Sequence, residues 1–375
     1  MASKKVILIR GGSLNRDTRA TKIIKTLTDN GYSVTFLGWN QGFKPNRSEI
    51  HEAGKFDKEI ILNLKAQWGT PVYLALPIWW LFVFFKLMLV NWDIAHAVQI
   101  TSAFPAVMAG KIKRKPVIYD MLDVYEDSVS IPIKIRNFLI FIDKLIMKLA
   151  TSVILADKEE ANEVGGIPNL NTVVIYDSPS TIEKIAVNYT PNKVFTLFFA
   201  GLLIRKKALN LDNIFKAIEN IDDVRIVIAG YGDLEGEIKE WEQRLPNKIQ
   251  FIGEISHAKV IEMSMQADAL FILRDSSVLV NKYICGSKVL ESLMCGRPII
   301  VNKGTSTAKI VSEENCGLIV DAHNIDEIKN AIITLKRDRN FCGILGTNGK
   351  LAHEMRYSWD IMENRLLNLY ESTLR

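Results

Sequence analysis

The stretch Gly286-Ser287-Lys288-Val289-Leu290-Glu291-Ser292-Leu293-Met294-Cys295-Gly296-Arg297-Pro298-Ile299-Ile300-Val301 decides how the chain reads. Its spacing predicts a short helix with Lys288 and Glu291 three residues apart on one face. A small-residue loop precedes it, Gly296 and Pro298 stop it, and an apolar strand follows. The free N–H groups and dipole of a helix N-terminus attract anions. With Ser287 at the helix start, Lys288 adds a full positive charge there. Glu291, one turn on, can accept hydrogen bonds from a pair of sugar hydroxyls. Such a grip suits a diphosphate attached to a ribose. The plainer reading of Lys-x-x-Glu is a solvated intrahelical ion pair.

Strand and helix patterns alternate on both sides of this stretch. In the second half, residues 195–200, 224–229, 250–252, 269–273 and 299–301 read as strands, and 211–220 as a helix. Gly230, Gly232 and Gly253 mark tight strand-end turns. In the first half, strand 6–10 runs into Gly11-Gly12-Ser13, where glycines let backbone approach a ligand closely. Helix 18–30 follows, with Gly31 as its cap and 32–37 as the next strand. Further strands are expected at 94–98, 117–119, 152–155 and 172–175. The fold class is therefore α/β, with two doubly wound, Rossmann-like domains and a linker at 178–193. No G-x-G-x-x-G fingerprint is present, which argues against a dehydrogenase.

Composition fits this reading. The 375 residues suffice for two cores, and 48% apolar with 24% charged residues is ordinary for a globular protein. Cys285, Cys295, Cys316 and Cys342 match no zinc or redox spacing and are expected as reduced thiols. The five histidines form no obvious cluster, and no metal or cofactor is expected. Residues 1–10 run straight into a strand, so no signal peptide is expected. Residues 1–180 hold 22 Lys and Arg against 17 Asp and Glu, so the whole net charge of +5 lies there. A basic half of this kind suits an acidic partner surface.

Residues 72–90 carry a single charge, Lys86, among Trp79, Trp80, Phe82, Phe84 and Phe85. The length nearly suffices to span a bilayer. Pro77, Lys86 and the strand that resumes at once argue against spanning. Two readings stand: a buried helix, or an interfacial helix that dips Trp and Phe into the headgroup boundary. Basic and amphipathic neighbours at 111–115 and 131–148 favour peripheral association with the inner face of the cytoplasmic membrane.

The quoted stretch resembles the Ser-Asn-Lys-x-x-Glu-x-x-x-x-Gly-x-Pro signature of glycosyltransferase family 4. The resemblance is strong over residues 195–335 and loose over the first half. It implies the GT-B fold, with two domains facing each other across a cleft. It also implies an acceptor- and membrane-facing domain at 1–180, a donor domain at 190–355, and a last helix at 356–375 crossing back to the first domain. The implied activity is transfer of a sugar from a nucleotide diphosphate to a glycan or lipid-linked acceptor in cell-surface polysaccharide or glycolipid synthesis. It would be metal-independent and retaining, in a cytoplasmic protein that binds no nucleic acid.

Several site residues follow from that resemblance. Gly11 and Gly12 would lie by the donor sugar. Asp17-x-Arg19 resembles the family's Asp-x-Arg, although Asp17 also suits a helix N-cap. Arg205 and Lys207, in 201–208, resemble the loop cations that neutralise the diphosphate. Ser287, Lys288 and Glu291 would hold the nucleotide, and Asn281 and Tyr283 belong to the expected donor loop at 275–287. Tyr283 stands where the common Glu-x7-Glu form has its first glutamate, so the identity of the sugar does not carry over. Asp120 and Asp123, in Tyr119-Asp120-Met121-Leu122-Asp123, resemble the strand-end acidic motif and are the candidate catalytic carboxylates. Leu122 replaces the motif's usual histidine. Two other readings are a catalytically inactive GT-B scaffold at the membrane and a GT-B sugar-nucleotide epimerase.

Overall fold

The computed structural model describes residues 3–12, 14, 17–42, 57–66, 70–122, 133–179, 192–205 and 209–374. The chain divides into two compact units, one of Met1–Asp177 with Met362–Arg375 and one of Ser178–Ile361.

The first unit is built on seven strands: β1 (Lys5–Arg10), β2 (Ser33–Asn40), β3 (Lys58–Asn63), β4 (Ile94–Val98), β5 (Val117–Met121), β6 (Ser152–Leu155) and β7 (Thr172–Val174). They pair in parallel in the order β3-β2-β1-β4-β5-β6-β7. Both faces of this sheet are covered, so Val6 to Ile9 of β1 are all buried, as a central parallel strand requires. On one face, Ile7, Ile9, Trp39, Tyr119 and Met121 share a core with the helices Thr70–Leu89, Ile100–Lys113 and Ile133–Leu149. Helix Thr18–Asp29 starts on the Asp17 carboxylate, which accepts from Ala20 N at 2.9 Å. The C-terminal helix Trp359–Thr373 contributes its later residues to this unit: Met362, Leu366 and Tyr370 are buried, and Thr373 Oγ1 lies 2.8 Å from Ser152 Oγ.

The second unit holds β8 (Phe195–Leu202), β9 (Val224–Tyr231), β10 (Ile249–Phe251), β11 (Ala269–Ile272), β12 (Ile299–Asn302) and β13 (Gly317–Val320), parallel in the order β10-β9-β8-β11-β12-β13. In each sheet the chain winds outward one way from its first strand and then returns to wind the other way. This is the Rossmann-like doubly wound arrangement. A Cβ on Gly230 would stand 1.9 Å from Gly201 O, and one on Gly232 would stand 2.2 Å from Leu203 O, so only glycine lets β8 and β9 leave the sheet this closely.

Three local differences from the sequence reading have physical causes. β3 opens with charged residues, and β13 has four residues beginning at a glycine; as edge strands they bury little and lack a strong apolar pattern. Helix Thr70–Leu89 runs through Pro77, because burial of Trp79, Val83 and Leu87 outweighs one lost hydrogen bond. Trp79 does not point outward: it is fully buried and stacks on Trp39 at 5.7 Å, while Trp80 Nε1 donates to Thr101 O.

Candidate functional site

In doubly wound sheets, ligands bind outside the carboxyl ends of the strands, where the winding reverses. In the second unit that point lies at the ends of β8 and β11. The quoted stretch is built beside it. Gly286 is the N-cap of helix Ser287–Cys295, at φ −68° and ψ 136°, and the helix has no side-chain cap. Its first N–H groups thus point out at the helix end, with Ser287 exposed beside them. Gly296 ends the helix in the left-handed conformation, at φ 61°. Lys288 reaches β8: its Cε lies 3.6 Å from where a Cβ on Gly201 would stand.

The Lys288 ammonium donates to both Glu291 oxygens, at 2.8 and 2.7 Å, and Glu291 is only 4% exposed. The plainer reading of the motif is therefore present, but the pair is sheltered instead of solvated. His257 Nε2 lies 4.0 Å from the same carboxylate. A ligand diphosphate would compete with Glu291 for Lys288.

Arg274, two residues beyond β11, stands at the same helix end and was not singled out by the sequence reading. Its Nη1 lies 3.6 Å from the Cβ position of Gly286, at the helix N-terminus. It is half-buried, and among the described residues it has no ion-pair partner. Burial pushes its guanidinium below the usual value. An unpaired, partly desolvated cation is costly, and a bound anion would offset that cost. The available signal was position: Arg274 falls between the expected strand end at 273 and the expected donor loop at 275.

The other expected site residues divide. Asn281 is buried in helix Leu279–Tyr283, and its Nδ2 donates to Asp275 O at 2.9 Å, so it braces the loop from inside. Asp275 accepts from Ser277 N at 2.8 Å and lies 3.2 Å from His323, which together hold its carboxyl below the usual range. Tyr283 is half-buried, with Lys282 Nζ 4.9 Å from its ring centroid. Arg205 is exposed and paired with Glu237, and its backbone N–H donates to Asp233 Oδ1 at 2.7 Å. Lys207 lies outside the described residues.

In the first unit the winding reverses at β1 and β4. Gly11 and Gly12 leave β1 there, and a Cβ on Gly12 would meet nothing within 4 Å. Gln99, just past β4, is held at φ 63° and ψ 159°, a conformation that costs a non-glycine residue about 1–3 kcal/mol.

Asp120, one of the two candidate catalytic carboxylates, sits inside a buried polar network. This carboxylate is 0% exposed and accepts from Arg19 Nε at 3.0 Å and Nη2 at 2.8 Å. His96 Nε2 lies 3.3 Å from it, and His96 Nδ1 lies 2.7 Å from Tyr370 Oη. With Nε2–H donating to Asp120 and Nδ1 accepting from Tyr370, every group in the chain is satisfied. Burial alone would push Asp120 up; the Arg19 charge and the hydrogen bonds from His96 and Arg19 hold it well below the usual carboxylate range. A buried carboxylate so stabilised as an anion is a poor proton acceptor. It ties helix Thr18–Asp29, β4, β5 and the C-terminal helix together, and Arg19 Nη1 extends the tie to Ile175 O at 2.8 Å. Asp123 lies outside the described residues.

The two Rossmann-like parallel-sheet units are those of GT-B proteins, and the second presents an anion-receptive helix end at its switch point. Residues 180–352 match the family model described as Glycosyl transferases group 1. Among solved structures, the chain is similar to a glycosyltransferase from Rickettsia africae, at 13% identity and a TM-score of 0.75 over 100% of both chains. It is also similar to Anabaena HepE in complex with UDP and glucose, at 15% identity and a TM-score of 0.71, over 98% of this chain and 100% of that one. These likenesses are of fold. A GDP-mannose-dependent monoacylated alpha-(1-6)-phosphatidylinositol monomannoside mannosyltransferase of Corynebacterium glutamicum is 24% identical over 169 residues, 44% of each chain. The chain spans about half the length of the first curated relatives it matches.

Proposed function

We propose that the chain is a glycosyltransferase that moves a sugar from a nucleoside diphosphate to a glycan or lipid-linked acceptor, in cell-surface polysaccharide or glycolipid synthesis at the cytoplasmic face of a membrane. The observation that carries this reading is the uncapped start of helix Ser287–Cys295 at the ends of β8 and β11, with Arg274 and Lys288 beside it. Charge develops on the diphosphate as the glycosidic bond breaks. Helix N–H groups and two cations aimed there stabilise it without a metal ion. Glu291 holds Lys288 until the ligand arrives and then becomes available to ribose hydroxyls. The reaction retains configuration: the acceptor oxygen bonds to the sugar carbon on the face the phosphate leaves, and its proton passes to the departing phosphate oxygen. Asp120, buried and held as an anion by Arg19, is unsuited to an inverting base, which removes one of the two candidate carboxylates for inversion.

HepE is solved with UDP, and the corynebacterial relative is GDP-mannose-dependent, so UDP- and GDP-sugars are the first donors to assay. Lys288→Ala and Glu291→Ala should each weaken nucleoside diphosphate binding about tenfold or more in titration calorimetry. Wild-type affinity in both variants would overturn the site.

A further inference from the structure

Three neighbouring helices of the first unit turn an apolar, cationic face outward. Helix Thr70–Leu89 buries Trp79, Val83 and Leu87 against the sheet. On its opposite stripe, Leu74, Ile78, Leu81, Phe85 and Leu89 are exposed, Leu89 to 82%. Helix Ile100–Lys113 packs against it and exposes Phe104, Met108 and Ile112 at spacings of four. Helix Ile133–Leu149 packs on that one in turn and exposes Phe138, Phe141 and Leu145. Apolar stripes on three adjacent helices exceed the scattered hydrophobic residues of an ordinary surface and mark an interaction site.

The charge on these helices is of one sign. They carry Lys86, Lys111, Lys113, Lys134, Arg136, Lys144 and Lys148 against one carboxylate, Asp143. Asp143 is turned inward, 2% exposed, and accepts from Tyr119 Oη at 2.7 Å. Lys111, Lys134 and Lys148 are exposed, as is Arg114 just beyond the second helix. Lys113 Nζ donates to Leu87 O and Val90 O at 2.9 Å, which fastens the ends of the first two helices together.

We infer that this three-helix face docks the chain on an anionic lipid bilayer; the inference rests on the membrane placement proposed above and names its surface and its lipid class. A second copy of the chain would bring like charges together across a two-fold interface, whereas anionic headgroups complement them. Among the described residues no helix is long and apolar enough to cross a membrane, so the helices lie along the interface with Phe85, Phe138 and Phe141 at the acyl boundary. Helix Thr70–Leu89 has a buried face on the sheet and an exposed apolar face that this docking would cover.

Vesicle flotation of the full chain tests this. It should float with vesicles of phosphatidylcholine plus phosphatidylglycerol, weakly with phosphatidylcholine alone, and less as salt rises. Phe85→Glu with Phe141→Glu should lower vesicle affinity about a hundredfold, and Lys111→Gln with Lys148→Gln about fivefold per cation on anionic vesicles alone. These residues are exposed, so thermal melting should not move. Three results would overturn the inference: no flotation of the wild-type chain, equal flotation of the Phe variant, or a vesicle-independent oligomer that the Phe variant dissolves. Flotation without turnover of any nucleotide sugar would support docking and end the transferase reading. Turnover without flotation would do the reverse.

Discussion

Asp120→Asn separates a structural carboxylate from a catalytic one. The substitution keeps the side chain's shape but removes its charge and turns one acceptor into a donor facing Arg19. The Arg19 guanidinium, 3% exposed, would lose its charged partner and keep one amide oxygen and Ile175 O. Removing one member of a buried ion pair costs about 3–5 kcal/mol. For a unit of this size that is a fall in melting temperature of roughly 6–20 °C. Urea unfolding followed by tryptophan fluorescence reads it, since Trp39, Trp79, Trp80 and Trp92 all lie in the first unit. Asp120 is held below its ordinary pKa, so its stabilisation is complete above that value and is lost as pH falls through the folded value. The gap between variant and wild type should be constant near neutrality and narrow below about pH 4. Arg19→Met with Asp120→Leu should recover much of the loss, because a buried pair can be replaced by apolar packing. A variant that melts like the wild type but has lost turnover would refute this reasoning and restore Asp120 as a base.

The site makes further demands. Arg274→Gln should weaken nucleoside diphosphate binding about tenfold to a hundredfold by calorimetry, while leaving the melting temperature unchanged or raised, since it removes a cation with no ion-pair partner among the described residues. Gly232→Ala should destabilise the second unit by about 2 kcal/mol or more in urea unfolding, because its Cβ falls against Leu203 O at a φ of 152°. Dialysis against EDTA should leave turnover intact if helix N–H groups and cations alone carry the diphosphate charge; loss that magnesium restores would show a metal requirement.

The legible parts of this molecule are those whose information is contiguous. The helix at 287–295, its glycine stop and the strand behind it are spelled out within sixteen residues, and the order of strands and helices follows from the same kind of local pattern. The parts that local spacing leaves open depend on distant partners. A carboxylate at a strand end looks the same in sequence whether it faces water or a guanidinium. Asp120 meets Arg19 across 101 positions, and no spacing rule reaches that far. Arg274 is the converse case: among the described residues it has no ion-pair partner, and such an absence leaves no pattern in the sequence.

Helix Thr70–Leu89 shows the same limit from a third side. It is apolar nearly all round, so periodicity assigns it no inner face and leaves both the buried and the interfacial reading open. Packing divides the residues, placing Trp79, Val83 and Leu87 on the sheet and leaving Leu81, Phe85 and Leu89 outside. A soluble helix with a sheet on one side needs apolar residues on only about a third of its surface. The apolar outer face therefore does nothing for the core it adjoins, and an exposed Leu89 or Phe85 carries a hydration cost that folding does not offset. Only something that covers this face after folding can offset it, and the inward turn of Asp143 leaves the neighbouring helices one sign of charge with which to choose that cover.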